Sequence, residues 1–168
     1  MLQRIRQRLQ DMRTLRQLFT RAEHHARAQG QPRPGAEHFL LAAIELPDGT
    51  ARRAFERIGA NPDAIPAAIE QQYRDALAQA GIQADMPPAS PLTAPQPRAF
   101  HAQPSGQSLV QALAHARKGQ PGPLLGAHVV ALVAAAPQGV ATRTLKALRL
   151  DPAALVQAAQ RESAYPPA

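Results

Sequence analysis

His38-Phe39-Leu40-Leu41-Ala42-Ala43-Ile44 and, ninety positions later, His128-Val129-Val130-Ala131-Leu132-Val133-Ala134-Ala135 decide the fold of this chain. Each is too short to span a bilayer and too apolar all round to lie on a surface, so each reads as a short central helix. The spacing between them extends outward. Residues 19–69 lie on 109–159 without a gap, and twelve of the 51 pairs are identical, where composition alone gives about four or five. Five are Ala pairs; the other seven are His25/His115, Arg27/Arg117, His38/His128, Pro47/Pro137, Gly49/Gly139, Arg53/Arg143 and Pro62/Pro152. A gapless register implies equal helix and turn lengths, hence a tandem duplication of one helical unit.

The first copy has a regular punctuation. Leu2, Ile5, Leu9, Met12, Leu15, Leu18 or Phe19, Ala22 and Ala26 recur every three or four residues, which predicts a helix over 2–29. Gly30 and Gln31-Pro32-Arg33-Pro34 end it. After the apolar helix, Pro47-Asp48-Gly49 is a turn, Ala51–Ile58 a third helix, and Asn61-Pro62 a cap with a first-turn proline opening a helix to about Ala80. Six prolines from Pro87 to Pro104 mark a linker over 81–105. The second copy repeats the scheme with helices over Ser105–Arg117, His128–Ala135, Thr142–Leu150 and, after Asp151-Pro152, to about Arg161. The expected organisation is therefore 1–80 for an N-terminal extension plus the first repeat, 81–105 for the linker, 106–161 for the second, diverged repeat, and 162–168 for a tail. Neither apolar helix can be buried alone, so the expected fold is all-α, two pseudo-symmetric four-helix repeats packed as one eight-helix domain.

Composition narrows the chemistry. Aromatics are only 4% of the 168 residues, so Ala and Leu must fill the interior, which favours closely packed helices. There is no cysteine, hence no disulfide or thiol chemistry, which fits a reducing cytoplasm. The start of the chain has no apolar h-region of a secretory signal. Net charge is +7, and Arg4, Arg6, Arg8, Arg13, Arg16, Arg21 and Arg27 fall in the first thirty residues. Such a helix suits either a solvated amphipathic face or, as the alternative reading, a basic helical nucleic-acid-binding protein. Interleaved aromatics and a helix-turn-helix signature are both missing, so nucleic acid is not the expected partner.

The run Ala22-x-x-x-Ala26-Arg27, Gly30, then Gly35-Ala36-Glu37-His38-Phe39-Leu40-Leu41-Ala42-Ala43-Ile44 resembles the repeat of the amino-terminal domain of Clp ATPases, which reads Gly-Thr-Glu-His-Leu-Leu-Leu-Ala-Leu. Pro47 to Gly59 is similar to the family's next turn and helix. Leu125-Gly126-Ala127-His128-Val129-Val130-Ala131-Leu132 resembles the second repeat of the ClpA branch. The resemblance covers about residues 12–161. It implies a non-catalytic protein-interaction module of the bacterial cytoplasm, whose partners are a Clp ATPase, an adaptor or a client polypeptide. The 168 residues contain no Gly-x-x-x-x-Gly-Lys-[Ser/Thr] loop, so the resemblance is to the recognition part and not to the ATPase motor.

In one branch of the family the Glu of Gly-Thr-Glu-His helps hold phosphorylated arginine, and that residue is Glu37 here. Ala36 replaces the Thr, Ala127 stands where the second Glu belongs, and the family's Thr of the first helix falls at about Met12. Glu37 otherwise reads as a carboxylate at a helix N-terminus, stabilised by the dipole. The matched histidines read as structural groups bonding backbone, because no Cys and no second His at i+4 completes a metal set. No cofactor or metal is expected. No nucleophile elbow surrounds Ser105, Ser108 or Ser163, and no catalytic constellation appears, so enzyme activity is not expected. The expected partner-binding residues are Arg27, Glu37 and His38 with the counterparts Arg117 and His128.

Overall fold

The structure, a computed structural model, describes residues 2–81 and 101–164, with side chains from Ile5 onward. The linker prolines between 82 and 100 therefore lie outside the described residues, as does the end of the chain from 165. All regular structure among the described residues is helical: α1 Leu2–Ala28, α2 Ala36–Ile44, α3 Thr50–Arg57, a 3-10 turn Pro62–Ala64 leading into α4 Ile65–Gln79, α5 Pro104–Arg117, α6 Gly126–Ala135, α7 Val140–Ala147 and α8 Pro152–Ala164.

The ninety-residue register survives in three dimensions. α3 and α7 correspond residue for residue, each entered through a glycine at positive φ, Gly49 at 66° and Gly139 at 127°. Asn61 accepts from the Asp63 N–H at 2.9 Å and Asp151 from the Ala153 N–H at 3.0 Å, the two caps read from the sequence. Gly59 ends its helix at φ 71°, and its counterpart Arg149 takes the same left-handed conformation at 55°. Arg149 is the one non-glycine residue with positive φ among the described residues; the turn inherited from the first copy is retained even with a Cβ in it.

α2 and α6 pack on each other at the centre, and each copy's outer helices reach across: α3 lies on α8 and on α6, while α4 lies on α7. Leu40 and Phe39 of α2, Val129, Val130 and Val133 of α6, and Leu18, Phe55, Ile65, Ile69, Leu145 and Leu155 form one apolar cluster spanning both copies. At about 1.5–3 kcal/mol per fully buried large side chain, this cluster is the main favourable term. Close approach is possible because Gly126 opens α6: a Cβ there would lie 2.8 Å from the Ala43 carbonyl oxygen and 3.0 Å from the Ala51 Cβ.

Two junctions differ from the sequence reading. α5 starts at Pro104, and the residues just before it are packed: Ala102 is buried, and Gln103 donates its backbone N–H to the Pro34 oxygen and its side-chain amide to the Arg33 oxygen, both at 2.9 Å. α8 runs past Arg161 to Ala164 because Glu162 is buried against the first copy. Its carboxylate accepts from Arg53 Nε at 2.7 Å and from Arg57 Nε, both on α3. Burial alone would raise this carboxyl, but the two arginines outweigh it and hold Glu162 below the usual carboxylate range.

Glu162→Gln is expected to lower the unfolding free energy by about 1–2 kcal/mol, measured by urea denaturation near neutral pH. Because the folded carboxyl is the stronger acid, the ion-pair contribution is complete above about pH 4.3 and disappears as pH falls further. The Gln variant should therefore lose less stability than the parent between pH 5 and 3.

Candidate functional site

The N-termini of α2 and α6 are buried in the middle of the molecule, where each exposes unpaired backbone N–H groups that must be satisfied. Both use the same internal device. The Gly35 N–H donates to His38 Nδ1 at 2.8 Å, and the Leu125 N–H donates to His128 Nδ1 at 3.0 Å, so a histidine at the third helical position caps each helix from within. An accepting Nδ1 requires a neutral ring with its proton on Nε2. In the first copy that proton has an acceptor, Gln29 Oε1 at 3.0 Å. Burial lowers the His38 pKa, His25 adding to the effect and Glu37 opposing it. Burial and then the Arg117 charge lower that of His128.

The second copy is less well satisfied. Arg117 Nη1 lies 3.3 Å from His128 Nε2, so a ring that accepts at Nδ1 sets two donors face to face. The other neutral tautomer accepts from Arg117 and presents Nδ1–H to the Leu125 oxygen at 3.3 Å, giving up the bond from the Leu125 N–H. Arg117 also donates to the Gly122 oxygen, and its buried Nε has no hydrogen-bond partner among the described residues. Arg27, its sequence counterpart, instead pairs with Glu23 one turn earlier at 3.3 Å. The structure thus joins Glu37 to His38 and Arg117 to His128, while Arg27 serves its own helix.

Glu37 is 2% exposed. One of its oxygens accepts from the Tyr73 hydroxyl of α4, whose ring stacks on His38 with centroids 6.4 Å apart. Burial, then the bond to Glu37 and its charge, raise the Tyr73 pKa, and the nearby Arg143 charge opposes them. The carboxylate folds back over Gly35, where a Cβ would lie within 2.6 Å of it. Glu37 is therefore a buried bridge between α2 and α4. Tyr73 has Ser163 as its ninety-residue counterpart, so no repeat identity marks it.

What lies outside the two helix starts differs sharply. On the α6 side, Asp48 Oδ2 accepts from the Gly126 N–H at 3.2 Å and Thr50 Oγ1 from the Ala127 N–H at 2.9 Å. Asp48 Oδ1 meanwhile accepts from the Thr50 N–H at 2.8 Å, so one carboxylate faces the N-termini of both α3 and α6. On the α2 side the Ala36 N–H has Ser105 Oγ at 3.2 Å, and beside it opens a cleft of about 670 Å³. α5 contributes Ser105, Ser108 and Leu109, the end of α6 and the turn Pro137-Gln138-Gly139 form the opposite wall, and Arg143 stands at the rim.

Counting back ninety residues explains the cleft. Where the second copy has Ser105, Ser108, Leu109 and Ala136, the first has Leu15, Leu18, Phe19 and Leu46. Leu18 and Leu46 are buried, and Leu15 and Phe19 pack against the core, so the first copy fills this space itself. Gln138 stands where Asp48 does, and Arg143 where Arg53 does. Arg53 has Glu162; the position facing Arg143 by the same register is Gln72, and Arg143 has no ion pair among the described residues. Cleft and unpaired cation are thus two of the places where the duplicated copies differ.

A family model, the Clp repeat (R) N-terminal domain, matches residues 13–99, just over half of the chain. The chain belongs to that family. It is a Clp-type N-terminal interaction domain, and its all-α double repeat is as the family resemblance implied. The second copy lies beyond the matched range, and its kinship rests on the shared helix register. Among curated proteins none matches the chain. No group of three or more His, Cys, Asp or Glu suited to hold a metal occurs among the described residues, and no helix among them is long and apolar enough to cross a membrane.

Asp48→Ala is expected to cost about 2 kcal/mol in chemical denaturation, more than a surface cap, because it leaves two helix starts unsatisfied. A second expectation concerns pH. His38 and His128 have folded pKa values below the unfolded value of about 6.5, so their contribution is complete above that pH and is lost as pH falls through it. The melting temperature should drop between pH 7.5 and 5, and the double variant His38→Gln with His128→Gln, which keeps a side chain capable of the cap, should flatten that part of the profile.

Proposed function

We propose that this chain acts as a non-catalytic recognition module of a Clp chaperone–protease system in the bacterial cytoplasm, receiving a client polypeptide or an adaptor in the cleft of its second copy. The observation that carries the reading is the replacement of Leu15, Leu18 and Leu46 by Ser105, Ser108 and Ala136 at otherwise matched positions. Those changes open space of side-chain size beside a buried helix start. Small hydroxyls, an apolar floor of Leu109 and Val133, and one rim cation suit an extended peptide: apolar side chains enter, hydroxyls meet backbone groups, and Arg143 meets an acidic or terminal carboxylate.

Glu37 and His38 enter this reading by fixing the first turn of α2 behind Ala36. Arg117 and His128 fix the matching turn of α6. Arg27 lies outside the cleft and pairs with Glu23 on its own helix. The likeness of Gly126-Ala127-His128 to the ClpA branch supports a client- or adaptor-receiving role of that type.

The test fills the cleft from the first copy's own sequence. Ser108→Leu with Ala136→Leu should keep or raise the melting temperature, as cavity filling commonly adds about 0.5–2 kcal/mol. Capture from bacterial cell extract at moderate salt should recover a Clp ATPase, an adaptor or a consistent set of clients with the parent protein and lose them with the filled variant. Equal recovery by both proteins would place binding elsewhere, and recovery dominated by nuclease-sensitive material would replace this reading with the nucleic-acid one.

A further inference from the structure

From Ile5 to Met12, α1 presents its apolar face outward. Ile5, Leu9 and Met12 are 55%, 55% and 65% exposed, the only large hydrophobic residues so exposed among the described side chains. The opposite face holds the helix to the protein. Gln7 donates its amide to the Gln120 and Gly122 carbonyl oxygens, and Asp11 accepts from the Leu124 N–H at 2.7 Å. These bonds to the loop before α6 fix the rotation of α1, so the stripe is held away from the body. Seven residues beyond the stripe the same helix is in the core, where Phe19 packs edge-on against Phe39 at 5.1 Å.

The spacing 5, 9, 12 is that of a coiled-coil seam, with Ile5 and Met12 at d and Leu9 at a. The flanking e and g positions are then Arg6 and Arg13 on one side and Arg8 on the other, all exposed. The one acid in this stretch, Asp11, points to the back and is already engaged. We propose that this seam docks an amphipathic helix of a partner protein whose own flanking positions are acidic. Charge decides among the occupants. A second copy of the chain would set arginines against arginines on both flanks, in either direction. An anionic membrane would meet a narrow aliphatic stripe with no Trp or Phe to seat it. A helix with Glu or Asp at e and g buries the three side chains and pairs the three arginines. The surface is separate from the cleft and does not rest on the function proposed for it.

The experiment uses the whole chain and fluorescence anisotropy with a labelled three-heptad peptide carrying Leu at a and d and Glu at e and g. A peptide with Lys at e and g and phosphatidylglycerol-containing vesicles serve as comparison probes. The Glu peptide should bind at least about tenfold more tightly than the Lys peptide, with the difference shrinking as salt rises. Leu9→Ser with Met12→Ser should weaken it by about tenfold or more, with an unchanged melting temperature because both positions are exposed. Arg6→Glu with Arg8→Glu and Arg13→Glu should reverse the preference. Equal binding of the two peptides, no binding of either, or insensitivity to the Ser variant overturns the proposal. So does stripe-dependent dimerisation in sedimentation, or vesicle binding in place of peptide binding.

Discussion

Everything in this molecule follows from two helices that cannot face water. α2 is buried from Glu37 to Ile44, and α6 is apolar along its length, so neither copy is stable with its central helix uncovered. Packing α2 on α6 solves that problem and creates another: the first turns of both helices are now inside the protein, where an unpaired N–H costs about 1–3 kcal/mol. The solution is local and repeated. His38 and His128 cap from within, and the rest of the demand is met across the copies, by Asp48 and Thr50 for α6 and by Ser105 for α2. These bonds tie the two sequence repeats to each other at both central helices.

Duplication begins with two equal interfaces, and what distinguishes them now is where chemistry is available. The Leu15, Leu18 and Leu46 side is closed by packing and by a carboxylate; the Ser105, Ser108 and Ala136 side is open and ends in a cation with no ion pair among the described residues. The same divergence separates Arg53, bound to Glu162, from Arg143, for which the register puts Gln72 in place of that glutamate. A closed interface supplies stability for the pair, which leaves its twin free to lose packing without unfolding the domain. Loss of three large side chains on both sides at once would remove several kcal/mol of a net stability of only about 5–15 kcal/mol.

The helices, their order and the Asn61 and Asp151 caps were legible in the sequence because periodicity and punctuation act over a few residues. The family resemblance was carried by such local runs, residues 35–44 most specifically, with 22–30, 47–59 and 125–132 beside them. What stayed hidden depended on partners far along the chain. Glu37 reads as a dipole-stabilised carboxylate until Tyr73, on another helix, is seen to hold it. Glu162 reads as the start of a tail until Arg53 and Arg57, more than a hundred positions earlier, are seen to bury it. The matched identities drew attention to His38 and His128, which proved to be the shared scaffold of the two copies. The cleft was written in the mismatched pairs, Leu15 with Ser105 and Leu46 with Ala136, since a site that differs between copies appears where the copies disagree.

The outward seam of α1 fits the same logic of preformed surfaces. A free helix of three or four turns is marginal in water, since nucleation is costly and little is buried. Here the nucleus is supplied by the other half of α1, anchored through Leu18, Ala22 and Ala26 in the core, and Gln7 and Asp11 hold the projecting turns in place. The ordering entropy of the recognition helix is therefore met by the fold before any partner arrives, and docking a second helix requires ordering on one side only. Ile5, Leu9 and Met12 are only partly covered in the free protein, and a docked helix would bury what remains of the stripe.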